Sequence, residues 1–325
     1  MNRFTFLLRR FSTNGGIVIL LLVGVTLLAA VVEPRFLNRL NIMNVSRNFA
    51  LLALPALGQM IVMTTGGLDL SVGATMALAS VITATTMATI PDATGLAILP
   101  SLCAALLTGA GIGLLNGGLV VRFALSPFMV TFATLAIITG GMLYYTQGIP
   151  VYGVSDSFVS IVGRGQFLGL PVALIVALLM IAAFVVVQRW TAFGRHLYAV
   201  GSNRHAARLS GLRTGRVQLA AYTLCGMLAA LTGILTAARI GSGQSTMGDT
   251  LGLETIATAV IGGVSLRGGA GRVEHVALAA LFLTIIANAM NLTRIDSRFQ
   301  PLVLGCVLIA ALMIERIALG RRAVD

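Results

Sequence analysis

Asp69 stands in "GGLDLSVG", residues 66 to 73, within a stretch so apolar that a charge there needs a reason. A carboxylate at the centre of a membrane helix costs about 2.5 to 3.5 kcal/mol on insertion scales, so it persists where something offsets that cost. Two roles answer to it. Gly66 and Gly67 break a helix, which leaves backbone N–H groups without partners at the start of the next one, and Asp69 is placed to cap them by accepting from Ser71 or Val72. Alternatively, the broken segment lies near a path for polar solutes, since irregular backbone at membrane depth is tolerated where it lines a cavity or is buried in protein. Glu254 is the second acid in an apolar run, and Gln59, Ser80, Asn116, Thr131, Thr134, Gln147, Tyr222 and Asn288 are polar groups within others. Such side chains bond solute hydroxyls or a neighbouring helix. The candidate set for a translocation path or helix break is Gly66, Gly67, Asp69, Ser71, Asn116, Gln147 and Glu254.

Other chemistries find little support. All 22 basic residues are arginine, and a phosphate-cradling GxxxxGK[ST] loop needs a lysine, so ATP hydrolysis is not expected of this chain. His196 and His205 are nine apart without an acidic neighbour, and Cys103, Cys225 and Cys306 fall in apolar segments without metal or redox spacing. No cofactor or metal is implied. An intramembrane enzyme would need a nucleophile facing a base, and no serine and histidine pair in that way. An ion-coupled secondary transporter would use ionisable groups near the bilayer midplane. Asp69 and, less directly, Glu254 are its candidates.

The elements that must position these residues are membrane spans. The chain has 325 residues, 57% hydrophobic and 10% charged, against roughly 25% charged in an average soluble domain. Ten apolar segments approach the roughly 20 residues a transmembrane helix needs: 16–32, 49–65, 72–90, 95–121, 126–146, 167–188, 217–238, 253–265, 273–290 and 299–316. The fold class is therefore an all-α integral membrane protein, a polytopic bundle of about ten segments. The eighth is short enough to be a half-helix that re-enters. "LLRRFSTNGG" places a twin arginine before the first run, but that run exceeds the 7 to 15 residues typical of a signal core, and it reads as an uncleaved helix. Gly111 with Gly113, Gly117 with Gly118, and Gly140 with Gly141 are expected to allow close packing or kinking. "GGLDLSVGA" and "GGVSLRGGA" share five of nine positions, a hint of duplicated halves.

The net charge of +12 would suit nucleic acid on a soluble face, but here the arginines lie between apolar spans. With ten crossings and both termini in the cytoplasm, 15 arginines fall inside and 7 outside, the expected bias. The largest polar interruption, residues 188 to 216, carries six arginines and no acid. Asn203 can cap a short helix through "RHAARLSG", and Gly211 stands where a helix ends in the left-handed conformation. A structured helix in the cytoplasm is a docking element.

"TTGGLDLSVGATMAL", "SPFMVTFATLAIITGGMLYYTQGIPV", "GRHLYAVGSNRHAARLSGLRTGRV" and "ETIATAVIGGVSLRGGAGRV" together resemble the permease subunit of ribose-type ABC sugar importers, in the same order from about Phe36 to about Leu312. The resemblance implies a single permease domain over 1–325 in a bacterial inner membrane, with 189–216 as a coupling loop. It implies a cytoplasmic ATP-binding subunit, an extracytoplasmic sugar-binding protein and a second permease copy or paralogue as partners, and no nucleic acid. Gly201, Asn203, Ala206, Ala207, Leu209 and Gly211 are then the candidates for meeting the ATPase. The implied substrate is a sugar of five or six carbons, with a nucleoside, polyol or other small polar solute as the alternative. Thr255 stands where the family commonly has an acid, and Glu274 and His275 where small or apolar residues are usual.

Overall fold

The computed structural model describes residues 16–90 and 96–303, with Gly305, Cys306, Ile309 and Met313 beyond them. The twin arginine, the terminal arginines counted for orientation and most of the tenth apolar segment lie outside the described residues.

The first helix, α1 (Gly16–Val32), is uncharged throughout. After a one-turn 3-10 segment, α2 runs over Arg39–Thr64, α3 over Val72–Thr89, α4 over Ile98–Arg122 and α5 over Pro127–Thr146. A short helical turn (Asp156–Phe158), a π-type turn (Val159–Gly163) and a two-residue antiparallel hairpin, β1 (Gln166–Phe167) with β2 (Leu170–Pro171), lead into α6 (Val172–Trp190). Then follow α7 (Ala192–Ser202), α8 (Arg204–Leu209), α9 (Thr214–Ile240), α10 (Leu251–Ile261) and α11 (Val273–Leu292).

Seven of these helices, α2 to α6, α9 and α11, are long and apolar enough to cross a membrane, and α1 and α10 are shorter apolar helices. Among the described residues there are thus seven full-length spans and two shorter apolar helices, at nine of the ten apolar segments. Helix α2 starts ten residues ahead of its apolar run, because Asn38 caps it by accepting from the Leu40 amide at 3.2 Å. Hydropathy locates the part of a helix that meets lipid, not its end. The polar first turns of α2 are used: Asn41 and Asn288 of α11 exchange two amide hydrogen bonds of 2.9 and 2.8 Å, and Asn44 and Asn48 hold the Arg239 guanidinium at 2.8 and 2.5 Å. Proline opens α5, where its missing N–H costs nothing. Gly241, with φ +79°, closes α9.

Helices α2 and α9 form the centre. They run in opposite senses, since Gly58 lies on Cys225 and Gly67 on Tyr222. Around them the packing repeats: α9 against α3 and α4, α2 against α10 and α11. The chain therefore contains two units of long helix, interruption and two further helices in opposite orientation, the inverted arrangement common in transporters. The two similar nonapeptides are not its equivalent parts. One joins α2 to α3, whereas the other joins α10 to α11.

On α4, residues Gly109, Gly113 and Gly117 recur every fourth position and face α9. A Cβ at Gly109 would stand 2.3 Å from the Gly226 carbonyl oxygen, and one at Gly113 2.3 Å from that of Tyr222. Small residues at this spacing let two helix backbones approach. Gly111, Gly118, Gly140 and Gly141 have nothing within 4 Å. Of the glycines expected to mediate close packing, Gly113 and Gly117 do so, and their partner in the pattern is Gly109.

Candidate functional site

The interruption between α2 and α3 is exposed at Gly66, half-buried at Leu68 and buried in the rest. Asp69 is 2% exposed and Ser71 and Asn116 are 0%. Gly66 takes φ +80° directly after the last turn of α2, so the helix ends there and the chain turns back. Asp69 Oδ1 accepts from the Ser71 amide at 2.8 Å and from the Ser71 hydroxyl at 2.6 Å. Ser71, not Asp69, occupies the N-cap position of α3, and Val72 does not donate to the carboxylate. The carboxylate stabilises the approach to the helix by folding residues 69–71 into a hydrogen-bonded turn.

From Ser71 the bonding continues across elements. Asn116 Nδ2 on α4 donates to Ser71 Oγ at 2.9 Å, and Thr134 Oγ1 on α5 donates to Asn116 Oδ1 at 2.6 Å. On the other side the Tyr222 hydroxyl of α9 donates to the Leu68 carbonyl at 3.2 Å and lies 3.3 Å from the Leu68 amide. A Cβ on Gly67 would sit 2.7 Å from that hydroxyl, so a side chain there would push the tyrosine tip aside. The break is thus tied to α4, α5 and α9, with its polar side chains buried in protein. Thr134 and Tyr222 belong to the site, and only their polarity within apolar runs could have signalled it.

A second interruption, which no feature of the sequence marks, spans residues 241–250 between α9 and α10. Val151 and Gly243 exchange backbone hydrogen bonds of 2.8 and 2.9 Å, and the Gln244 amide donates to Ser80 Oγ at 3.3 Å. Gly248 abuts Gly73 so closely that a Cβ on Gly73 would come within 2.0 Å of the Gly248 carbonyl oxygen. This non-helical stretch therefore runs back along α3 from the end of α9 and feeds α10, whose Gly252 packs on Leu70. Glu254 lies in the first turn of α10, half-buried, and accepts from Thr250 Oγ1 at 2.7 Å. Gln147 is elsewhere: it ends α5 in the left-handed conformation, exposed, with its amide on the Tyr144 carbonyl. Asp69, Ser71 and Asn116 are brought together, and Gln147 is not with them. Gln59, mid-α2, is fully buried with neither amide atom bonded among the described residues.

At one end of the bundle the polar segment folds as expected from Asn203 and Gly211. Asn203 Oδ1 accepts from the Ala206 amide at 2.9 Å, opening α8, and Gly211 with φ +82° closes it. Asn203, Ala206, Leu209 and Gly211 are exposed. Ala207 points inward onto Leu197, Val200 and Val217. Gly201 also faces inward: a Cβ there would lie 1.8 Å from the Thr64 carbonyl oxygen and 2.5 Å from the Gly269 nitrogen. The Gly269 amide donates to Thr64 at 2.9 Å, and Gly268 lies against Gly66 and Gly201. Three backbones, the end of α2, the end of α7 and the turn between α10 and α11, meet in a glycine junction directly beside α8.

The same corner is held by side chains. Gln188 and Tyr198 both donate to the Gly271 carbonyl, at 3.1 and 2.6 Å, and burial raises the Tyr198 phenol above its usual pKa, so it remains a donor. Arg189 of α6 pairs with Glu274 of α11, which gives the unusual acid at position 274 a partner.

Seven helices long and apolar enough to cross a membrane, with hydrogen-bonded interruptions between them, are the frame of a multi-pass membrane protein. The chain belongs to the family described as "Branched-chain amino acid transport system / permease component", matched over residues 41–312. It is 36% identical over 291 residues to the ribose import permease protein of Bacillus subtilis, covering 89% of each chain. The ribose import permease protein of Escherichia coli K12 is 33% identical over 301 residues, 90% of this chain and 92% of its own. The galactose/methyl galactoside import permease protein of Haemophilus influenzae is 32% identical over 319 residues, 94% of both. No solved structure matches.

Proposed function

We propose that this chain is the membrane-spanning subunit of an ATP-driven importer for a monosaccharide of the ribose or galactose type. The observation that carries the reading is similarity along about nine-tenths of the chain to permeases named for import of those sugars. In this reading a cytoplasmic ATP-binding subunit supplies the energy, an extracytoplasmic binding protein delivers the sugar, and two permease copies or paralogues flank the path. In this reading the chain crosses the membrane ten times, with α8 and both termini in the cytoplasm, in accord with the excess of arginine there. The exposed face of α8, with Ala206 and Leu209, receives the ATP-binding subunit.

Motion reaches the broken segments through the glycine junction, because Gly201 touches the end of α2 two residues before Gly66. The Asp69 turn keeps the start of α3 intact while neighbouring elements shift. The test is uptake of labelled ribose and galactose by vesicles holding this chain, its ATP-binding subunit and its binding protein. Uptake of one sugar that needs ATP and survives collapse of ion gradients is expected. Uptake that needs an ion gradient and ignores ATP would sink the reading.

A further inference from the structure

Beside the docking helix, where the last turn of α4 meets the first turn of α9, the surface opens into a hollow of about 480 Å³. Three arginines line it, Arg208, Arg213 and Arg216, with Val121, Leu212 and Leu219 between them. All three arginines are exposed, and none takes part in an ion pair among the described residues, where the pairs are Arg35–Glu33, Arg189–Glu274 and Arg298–Asp296. Helix α9 also begins here without a side-chain cap, and the Gly215 amide that borders the hollow has no acceptor among the described residues. Guanidinium groups and a free amide at the start of a long helix form an anion site.

The apolar residues decide which anion. A free phosphate or a carboxylate would use the charges alone, whereas Val121 of α4 and Leu219 of α9 add apolar surface from two span helices. The level is that of a headgroup layer. Trp190, 79% exposed at the end of α6, and Phe123, 65% exposed just past α4, mark it at this end of the bundle, as aromatic belts mark membrane interfaces. We propose that the hollow binds an anionic phospholipid, its phosphate diester on the arginines and the Gly215 amide and an acyl chain along Val121 and Leu219. Basic pockets between span helices hold such headgroups, and each cation near an anionic surface adds to the attraction.

The test uses the whole chain in nanodiscs of phosphatidylcholine with a minority of phosphatidylglycerol, with retained lipids read by native mass spectrometry. Arg213→Gln with Arg216→Gln is expected to lower phosphatidylglycerol retention by roughly tenfold or more. Arg195→Gln with Arg204→Gln removes the same charge from the same polar segment outside the hollow and is expected to leave retention within about twofold. Equal loss in both chains would mean general attraction to a positive face and would overturn the proposal. If the first variant fails to insert, a photoactivatable phosphatidylglycerol on the wild-type chain should label peptides containing Val121 and Leu219. Absence of that label, or its removal by excess inorganic phosphate, would also overturn it. Unchanged lipid retention in the Arg213→Gln, Arg216→Gln chain, together with lost binding of the ATP-binding subunit, would assign the hollow to that protein instead.

Discussion

The buried carboxylate at position 69 holds two donors of one residue, and this geometry sets what substitution should do. Asn can accept both Ser71 bonds through Oδ1, whereas Ala leaves the Ser71 amide and hydroxyl without the oxygen they now share at 2.8 and 2.6 Å. Asp69→Asn is therefore expected to keep uptake within about threefold, and Asp69→Ala to lose about 1–3 kcal/mol, the cost of unsatisfied buried donors. Thermal unfolding in detergent beside uptake checks both. Loss of uptake in the Asn chain at wild-type stability would show that the charge itself is required. The sequence supplied the residue and its acceptor role, since two glycines before a small hydroxyl residue leave few alternatives. It could not supply Asn116 or Thr134 as continuations of the bond chain, because polar groups in separate spans carry no mark of which neighbour they face.

Among the elements, glycine placement separates packing from mere tolerance. Gly113 faces the Tyr222 carbonyl at 2.3 Å from a built Cβ, while Gly111, two residues earlier on α4, meets nothing within 4 Å. Gly113→Ala must push α4 from α9 and is expected to destabilise by about 1–3 kcal/mol, as overpacking does, whereas Gly111→Ala is expected to be neutral or slightly stabilising. Thermal unfolding of the two purified chains distinguishes them, and equal effects would refute the assignment of faces. The same scale hid the interruption at 241–250. "GSGQSTMGDT" is polar and small enough to read as an exterior loop. Only its bonds to Val151 and Ser80 reveal that it lies along α3, where those partners replace the water that a lipid environment lacks.

Across the whole molecule, the docking reading depends on which residues of the polar segment reach its surface. Ala206 is exposed and Ala207 is 6% exposed within the packing around Val217. Ala206→Trp is expected to abolish uptake and sugar-stimulated ATP hydrolysis in the assembled importer while the chain remains inserted and stable. Ala207→Trp is expected to unfold that corner instead, by about 1–3 kcal/mol or more. Co-purification of the ATP-binding subunit with each variant is the measurement. Normal uptake by the Ala206→Trp chain would place docking elsewhere.

The sequence alone determined the class, because 57% hydrophobic residues in long uncharged runs have few stable homes outside a bilayer, and it determined the capped helix at Asn203, because caps are local. It also held the arginine asymmetry on which the proposed orientation rests. The tertiary structure alone decided that the two glycine-rich nonapeptides and Gly201 meet. Each is a set of small residues whose purpose is to let another backbone come near, and a residue defined by what approaches it cannot name its partner. The structure likewise turned Ala207 and Gly201 inward and left Ala206 and Leu209 outward. Helical phase within a short segment is set by the surface it packs on, here the start of α9, and that surface lies outside the segment's own sequence.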